Sequence, residues 1–342
     1  MAWKLQKEGA FMGRTVAIGI QDFETVIANN YFSVDKTGFI REWWERGDSV
    51  TLITRPRRFG KTLNISMLDC FFSNRYAGRG GLFENLSIWK DEKYRKLQGT
   101  YLVINLSFAS VKENNYPNAR VRINQIITNL YSDNIFLLKS DALTDEEKNY
   151  FRSVTNSMSE ATATMAIHQL SRFLCHYYGK KVIILLDEYD TPMQEAYLSG
   201  FWEEITALIR NMFNASFKTN PYLERAVMTG ITRVSNVSQA SHRESIFSDL
   251  NHLNVVTTTS DEYASAFGFT EEEVYSSMDE IGMEGKEDVK QWYDGFTFGK
   301  VNDIYNPWSI INMLNKNQLG KNDDAIWSFL LASGYLKVVS AD

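Results

Sequence analysis

The chain has 342 residues, enough for one large α/β domain with a smaller companion or for two domains. Hydrophobic content of 44 % and charged content of 23 % describe an ordinary globular protein. A net charge of −6 argues against general electrostatic capture of nucleic acid and leaves only a local basic patch at 55–58.

The first eleven residues, MAWKLQKEGAF, lack a contiguous apolar core, and Met12 is a second candidate start beside Met1. An apolar alternation (Val16, Ile18, Ile20) predicts a strand, followed by a short helix. Asp35 is the candidate cap of a helix over 38–46 that carries Trp43 and Trp44. Residues 1–48 are therefore expected to pack on the domain that follows, either as a plain capped helix or as a cover for a bound base.

The stretch VTLITRPRRFGKTLNISMLDC (50–70) carries the strongest signal. A β-branched run (Val50, Leu52, Ile53, Thr54) enters a basic turn ending Gly60-Lys61-Thr62, and an apolar-periodic segment (Leu63, Ile65, Met67, Leu68) leaves it. Strand, turn, Gly-Lys-Thr and helix are the parts of a phosphate-binding loop. A helix starting near Lys61 aims unpaired N–H groups and its positive dipole end into the turn, which favours an anion. The expected nucleotide contacts are Arg58, Phe59, Gly60, Lys61, Thr62 and Leu63, with Lys61 on the β/γ-phosphates and the Thr62 hydroxyl on Mg²⁺. The usual pattern has glycine where this chain has Arg55, and four of the five residues at 55–59 are Arg or Pro. This loop is stiffer and more cationic than usual. The alternative is a solvated basic turn.

Tyr101–Leu106 reads as a second strand, and Arg120 and Arg122 open a long helical stretch with Ile123, Ile126, Ile127 and Leu130 at core spacing. Thr144-x-x-Glu147 is a capping box, and 160–178 repeats helical spacing. His168 and His176 fall within it without a metal-ligand companion at useful spacing. Cys70 and Cys175 lie in apolar helical patterns, as buried thiols of a reducing compartment do, and no signal or spanning segment appears, so the expected location is cytoplasmic.

Lys181–Asp190 is the second strong signal. Five consecutive aliphatics, Val182 to Leu186, form a strand buried on both faces, and the acidic pair at its end sits where open α/β sheets bind ligands. Asp187 is expected to hold Mg²⁺ directly or through water, and Glu188 to polarise the attacking water. Residues 192–217 read as helical, with Trp202, Ile205, Leu208, Ile209 and Met212 on one face. Arg225–Arg233 reads as a strand ending in polar groups. In ATPases that add a catalytic glutamate, a strand inserted beside the phosphate-loop strand carries a polar sensor. Thr229 or Thr232 is thus a candidate contact to the γ-phosphate or the water, and Arg233 a candidate charge stabiliser.

Leu253–Thr258 is the last predicted strand of a core spanning 49–258. Short helices follow: Thr270-x-x-Glu273 is a capping box, and Pro307 suits the first turn of a helix at 308–315. Residues 259–342 read as a small helical lid. The fold class expected is an α/β P-loop NTPase, a three-layer sandwich on a mostly parallel sheet, followed by that lid.

Several ordered blocks resemble the AAA-ATPase-like family of bacterial and archaeal P-loop proteins: IGIQDFE, YFSVDKTGFI, RPRRFGKT, LLDEYDTP, TGITRVS, SIFSDLNHL, WYDGFTFG and YNPWSI, between residues 16 and 312. The family's loop is similar to R-P-R-R-F-G-K-[ST], so Arg55 looks like a family trait. The resemblance implies ATP at Lys61 and Thr62, with Asp187 and Glu188 as the Walker-type acidic pair. Relatives often carry a PD-(D/E)XK nuclease-like domain; no late Asp…Glu-x-Lys set follows here, and the stretch between Leu314 and Trp327 looks short for the family. Two activities stay open: Mg²⁺-dependent ATP hydrolysis coupled to conformational switching, or a nucleotide-binding interaction module with little or no hydrolysis. The partners implied are ATP and a protein, or a homo-oligomer if an arginine acts in trans; a nucleic acid would need the 55–58 patch, and no membrane is implied.

Overall fold

Five runs of aliphatic and β-branched residues pair as one parallel sheet: Val50–Thr54 (β1), Leu102–Ser107 (β2), Val182–Asp187 (β3), Leu223–Gly230 (β4) and Leu253–Val256 (β5). Their order is β2-β3-β4-β1-β5. The computed structural model describes residues 14–232, 247, 250, 252–293 and 295–318. These divide into two units, one comprising Thr37–Arg57 with Lys61–Thr257, the other residues 14–36, Arg58–Gly60 and those described beyond 257.

In the sheet unit every residue of β1 and β3 is buried, which is why both strands lack polar alternation. Phe23–Ala28 (α1) belongs to the other unit; around the sheet run Gly38–Arg46 (α2), Lys61–Phe72 (α3), Glu92–Leu97 (α4), Tyr116–Asp133 (α5), Asp145–Ser153 (α6), Glu160–Tyr178 (α7), Thr191–Ser199 (α8) and Trp202–Phe213 (α9). Val182, Ile184 and Leu186 share one core cluster with Ile123 and Ile127 of α5, Leu170 of α7 and Leu208 of α9. Side chains alternate along a strand, so Ile183 and Leu185 face the other side, where α3 packs against β2 and β3. Helices on both faces of a parallel sheet are the expected sandwich. β4 sits between β1 and β3, the inserted position the sensor argument required.

Local rules held where the chemistry was local. Thr144 and Glu147 cap α6 reciprocally, and Pro117 lies in the first turn of α5. Three expectations are corrected. The helix at 38–46 is capped by Thr37 rather than Asp35, and even the Thr37 side chain does not bond its own helix: its hydroxyl meets Ser87 Oγ and accepts from the Ile88 amide. The helical run over 192–217 is broken at Gly200, whose φ of +82° ends α8 in a left-handed cap, and α9 begins at Trp202. The strand through Val16, Ile18 and Ile20 reduces to a single bridge between Thr15 and Tyr31. Gly19 at φ +83° turns the chain there, and Ile18 stays exposed.

The other unit carries α1 and the helices Glu271–Glu280 (α10), Lys286–Trp292 (α11) and Pro307–Gln318 (α12). It also holds a hairpin of Phe296–Phe298 (β6) and Val301–Ile304 (β7), so this part is not purely helical. Val16 and Phe32 share a core with Val274, Met278, Ile310 and Leu314. The N-terminal strap is tied down by polar contacts as well. Arg14 makes a two-toothed pair with Glu280, Lys36 reaches Glu273 at 2.6 Å, and the side-chain amides of Asn315 and Gln318 bond the backbone of Val16 and Arg14. Thr270 and Glu273 form the second capping box, and Pro307 opens α12.

Candidate functional site

β1 delivers the basic turn to the C-terminal edge of the sheet, and α3 starts at Lys61 directly after it. Gly60 has φ +76°, a conformation that favours glycine and that turns the chain into the helix. Arg58, at φ +67°, takes the same left-handed region without glycine's freedom.

Arg55 stands where phosphate loops usually carry glycine, and it is wholly buried. Its backbone N–H extends the β1–β4 pairing by donating to Gly230 O, and its guanidinium donates to Thr54 O. Burial draws its pKa down to about 10, which still leaves it cationic at neutral pH. The arginine therefore stiffens the root of the loop from beneath. Lys61 is buried too, its ammonium donating to the carbonyls of Arg55 at 3.0 Å and Pro56 at 2.8 Å. Desolvation lowers the Lys61 pKa, and the nearby Asp187, Glu188 and Asp190 charges work against that shift.

Asp187 is where the two strands' chemistry meets. Its Oδ2 accepts from Thr62 Oγ1 at 2.7 Å, and its Oδ1 accepts from Thr229 Oγ1. Glu188 follows at φ +51°, a strained position for a non-glycine residue, and its carboxylate accepts from Thr191 Oγ1 at 3.1 Å. The structure thus brings Lys61, Thr62, Asp187, Glu188 and Thr229 together. Leu63 is half-buried on α3. Arg58, Phe59 and Gly60 group with the other unit: the Arg58 guanidinium lies 4.1 Å from the Trp308 ring centre, and Phe59 packs on Phe296 and Phe298. Arg233 lies outside the described residues.

These donors suit a magnesium nucleotide. A hydroxyl and a carboxylate side by side are hard oxygen ligands, and Mg²⁺ takes one or two such groups while phosphates and waters fill the rest. Among the described residues there is no cluster of three or more His, Cys, Asp or Glu able to hold a metal unaided. A cavity of about 180 Å³ lies elsewhere, along β2 beside Asn105, Asp133 and Tyr178, and it contains none of these groups.

Sequence reasoning left one residue without a role. Asp190 is buried, and its Oδ2 accepts from the amides of Ile231 at 2.9 Å and Thr232 at 3.0 Å, from Thr232 Oγ1 at 3.2 Å and from Gln194 Nε2 at 2.8 Å. The hydroxyls of Thr229 and Thr232, both candidate sensors, are thus spent on the two aspartates. The only advance signal was Asp190 and Gln194 four apart at a helix start.

A family model described as "Predicted AAA-ATPase" matches residues 17–240. A protein of Azotobacter chroococcum mcd 1, described as "Uncharacterized protein in vnfD 5'region", is 25 % identical over 309 residues, covering 89 % of this chain and 52 % of that protein. The chain therefore spans about half the length of that curated relative. No solved structure matches. Among the described residues no helix is long and apolar enough to cross a membrane.

Proposed function

Since the chain belongs to the AAA-ATPase-like family, which implies nucleotide binding, we propose that it is a Mg²⁺-dependent ATPase using the loop at 55–62 and the β3 tip. The observation that carries this reading is the 2.7 Å contact between Thr62 and Asp187, because a phosphate-loop hydroxyl and a Walker-type carboxylate must share one metal ion.

In this reading Lys61 leaves the loop carbonyls to meet the β- and γ-phosphates, and the α3 N-terminus supplies amides to the same oxygens. Arg58, Phe59, Gly60 and Leu63 frame that loop. Thr62 and Asp187 would hold Mg²⁺, which supplies charge neutralisation across the phosphate oxygens. Glu188 orients the attacking water and takes its proton. Thr229 fixes the orientation of the Asp187 carboxylate that would hold the metal, and Arg233 is the candidate for countering charge on the leaving phosphate. Hydrolysis would drive switching of a protein partner or of a second copy.

A second reading, a nucleotide-binding module that hydrolyses poorly, is favoured by the Glu188 carboxylate being engaged within its own turn by Thr191. Single-turnover hydrolysis by wild type against Glu188→Gln separates the two. A wild-type rate far above the variant supports the ATPase; equal, near-background rates with ATP still bound leave the module. Failure of Lys61→Ala to weaken ATP binding would remove both.

A further inference from the structure

Asp190 is the N-cap residue of α8 yet makes no side-chain cap bond. Aspartate at that position ordinarily accepts from the first-turn amides, and giving this up costs helix stability. Its carboxylate instead reaches across to the β4 tip, where one oxygen collects the amides of Ile231 and Thr232 and the Thr232 hydroxyl. The other oxygen, Oδ1, is buried without a hydrogen-bond partner among the described residues. A buried carboxylate oxygen left unpaired is expensive and calls for a reason other than stability.

Gln194 extends the contact. Its Nε2 donates to Asp190 Oδ2 at 2.8 Å, and its Oε1 accepts from Arg57 Nη2 at 3.5 Å. The orientation of the amide is set by chemistry, because a carboxylate only accepts and a guanidinium only donates. Arg57 is one of two exposed arginines of the loop, with Arg58, and its charge is felt at Lys61. Asp190, Gln194 and Arg57 therefore link the β4 tip, the start of α8 and the loop within one unit.

We infer that Asp190 and Gln194 are positioning residues that lock the β4 tip to the β3 tip and hold Arg57 toward the terminal phosphate of a bound nucleoside triphosphate. The inference rests on the nucleotide-site reading given above and adds a residue to it: Arg57 is the group that distinguishes a triphosphate from a diphosphate. A long contact between solvent-exposed groups orients Arg57 without immobilising it, so Gln194 contributes only a fraction of what Arg57 does.

The test is the ratio of ADP to ATP dissociation constants, measured with Mg²⁺ by calorimetry on the full chain. A merely structural role would weaken both nucleotides alike and leave that ratio unmoved. Arg57→Ala is expected to lower the preference for ATP about tenfold and Gln194→Ala about threefold, with the double variant no worse than Arg57→Ala alone. Asp190→Asn, of the same shape but with a neutral acceptor, should match Gln194→Ala. An unchanged ratio in Gln194→Ala, or a double variant whose loss is the product of the single losses, overturns the relay while leaving the nucleotide site standing. Wild type that binds neither nucleotide overturns the site and the relay together.

Discussion

Thr62 and Asp187, 125 residues apart in the chain, are joined by a 2.7 Å hydrogen bond in which the threonine hydroxyl donates to Oδ2. Thr229 holds Oδ1 from the neighbouring strand, so the carboxylate is fixed in one orientation from both sides. If Asp187 holds the proposed Mg²⁺, a carboxylate fixed in this way would lose little entropy on binding the ion.

Thr229→Val removes the donor to Oδ1 while keeping the side-chain volume. The carboxylate oxygen is then buried without its partner, which costs about 1.5–3 kcal/mol. Urea unfolding should show that loss; a change below about 0.5 kcal/mol, the range of ordinary surface substitutions, would mean that the bond contributes nothing.

Thr62→Ala tests the metal side. Wild type should bind ATP more tightly with Mg²⁺ than with EDTA, and the alanine variant should lose about tenfold or more of that Mg²⁺-dependent gain. Affinity in EDTA should be unchanged. Equal gains in both proteins would take Thr62 out of the metal's coordination.

Burial lowers the Lys61 pKa below the ordinary lysine value of 10.5. The sign follows from linkage: at a pH between the folded and unfolded values the unfolded state holds more protons, so this group's contribution to stability rises with pH there. ATP binding moves the opposite way, because the phosphates need the ammonium. ATP affinity should therefore start to fall below pH 10.5, and Lys61→Ala should lack that limb. An alkaline profile identical in the two proteins would contradict the assignment.

Gly230 closes the end of β4 against the β3 tip. A Cβ there would lie 2.5 Å from the Tyr189 ring and 2.8 Å from Asp190 Oδ1. Tyr189 is fully buried and donates to Thr232 O at 2.5 Å, so it has no easy retreat. Gly230→Ala should cost about 1–3 kcal/mol by thermal or urea unfolding, with a matching loss of nucleotide affinity. Wild-type stability would show that the two tips can separate freely.

The parts of the site that could be read in advance were those whose chemistry is contiguous. Gly60-Lys61-Thr62 announces a turn into a helix, and five aliphatics before Asp187 announce a buried strand, because backbone period and side-chain type act over a few residues. Thr144 and Thr270 announced their helices for the same reason. Asp35 failed as a cap because tertiary contacts, here Ser87 and Ile88 on Thr37, decided which residue turns the chain. The alternative of a solvated basic turn does not describe Arg55, which is fully buried. Its sequence neighbours do not reveal this, since the strand that its backbone pairs with, β4, lies far along the chain.

Composition and local pattern by themselves determined an α/β chain with a phosphate-type loop, an acidic strand tip and capped helices beyond them. Only the folded sheet decided that β4 lies between β1 and β3, and with it which hydroxyls face which carboxylates. Apart from Gln194, the hydrogen-bond partners of the Asp190 carboxylate lie about forty residues downstream, at Ile231 and Thr232. Hydrogen bonds between strand tips depend on strand order, a property of the whole sheet that no short stretch of sequence encodes.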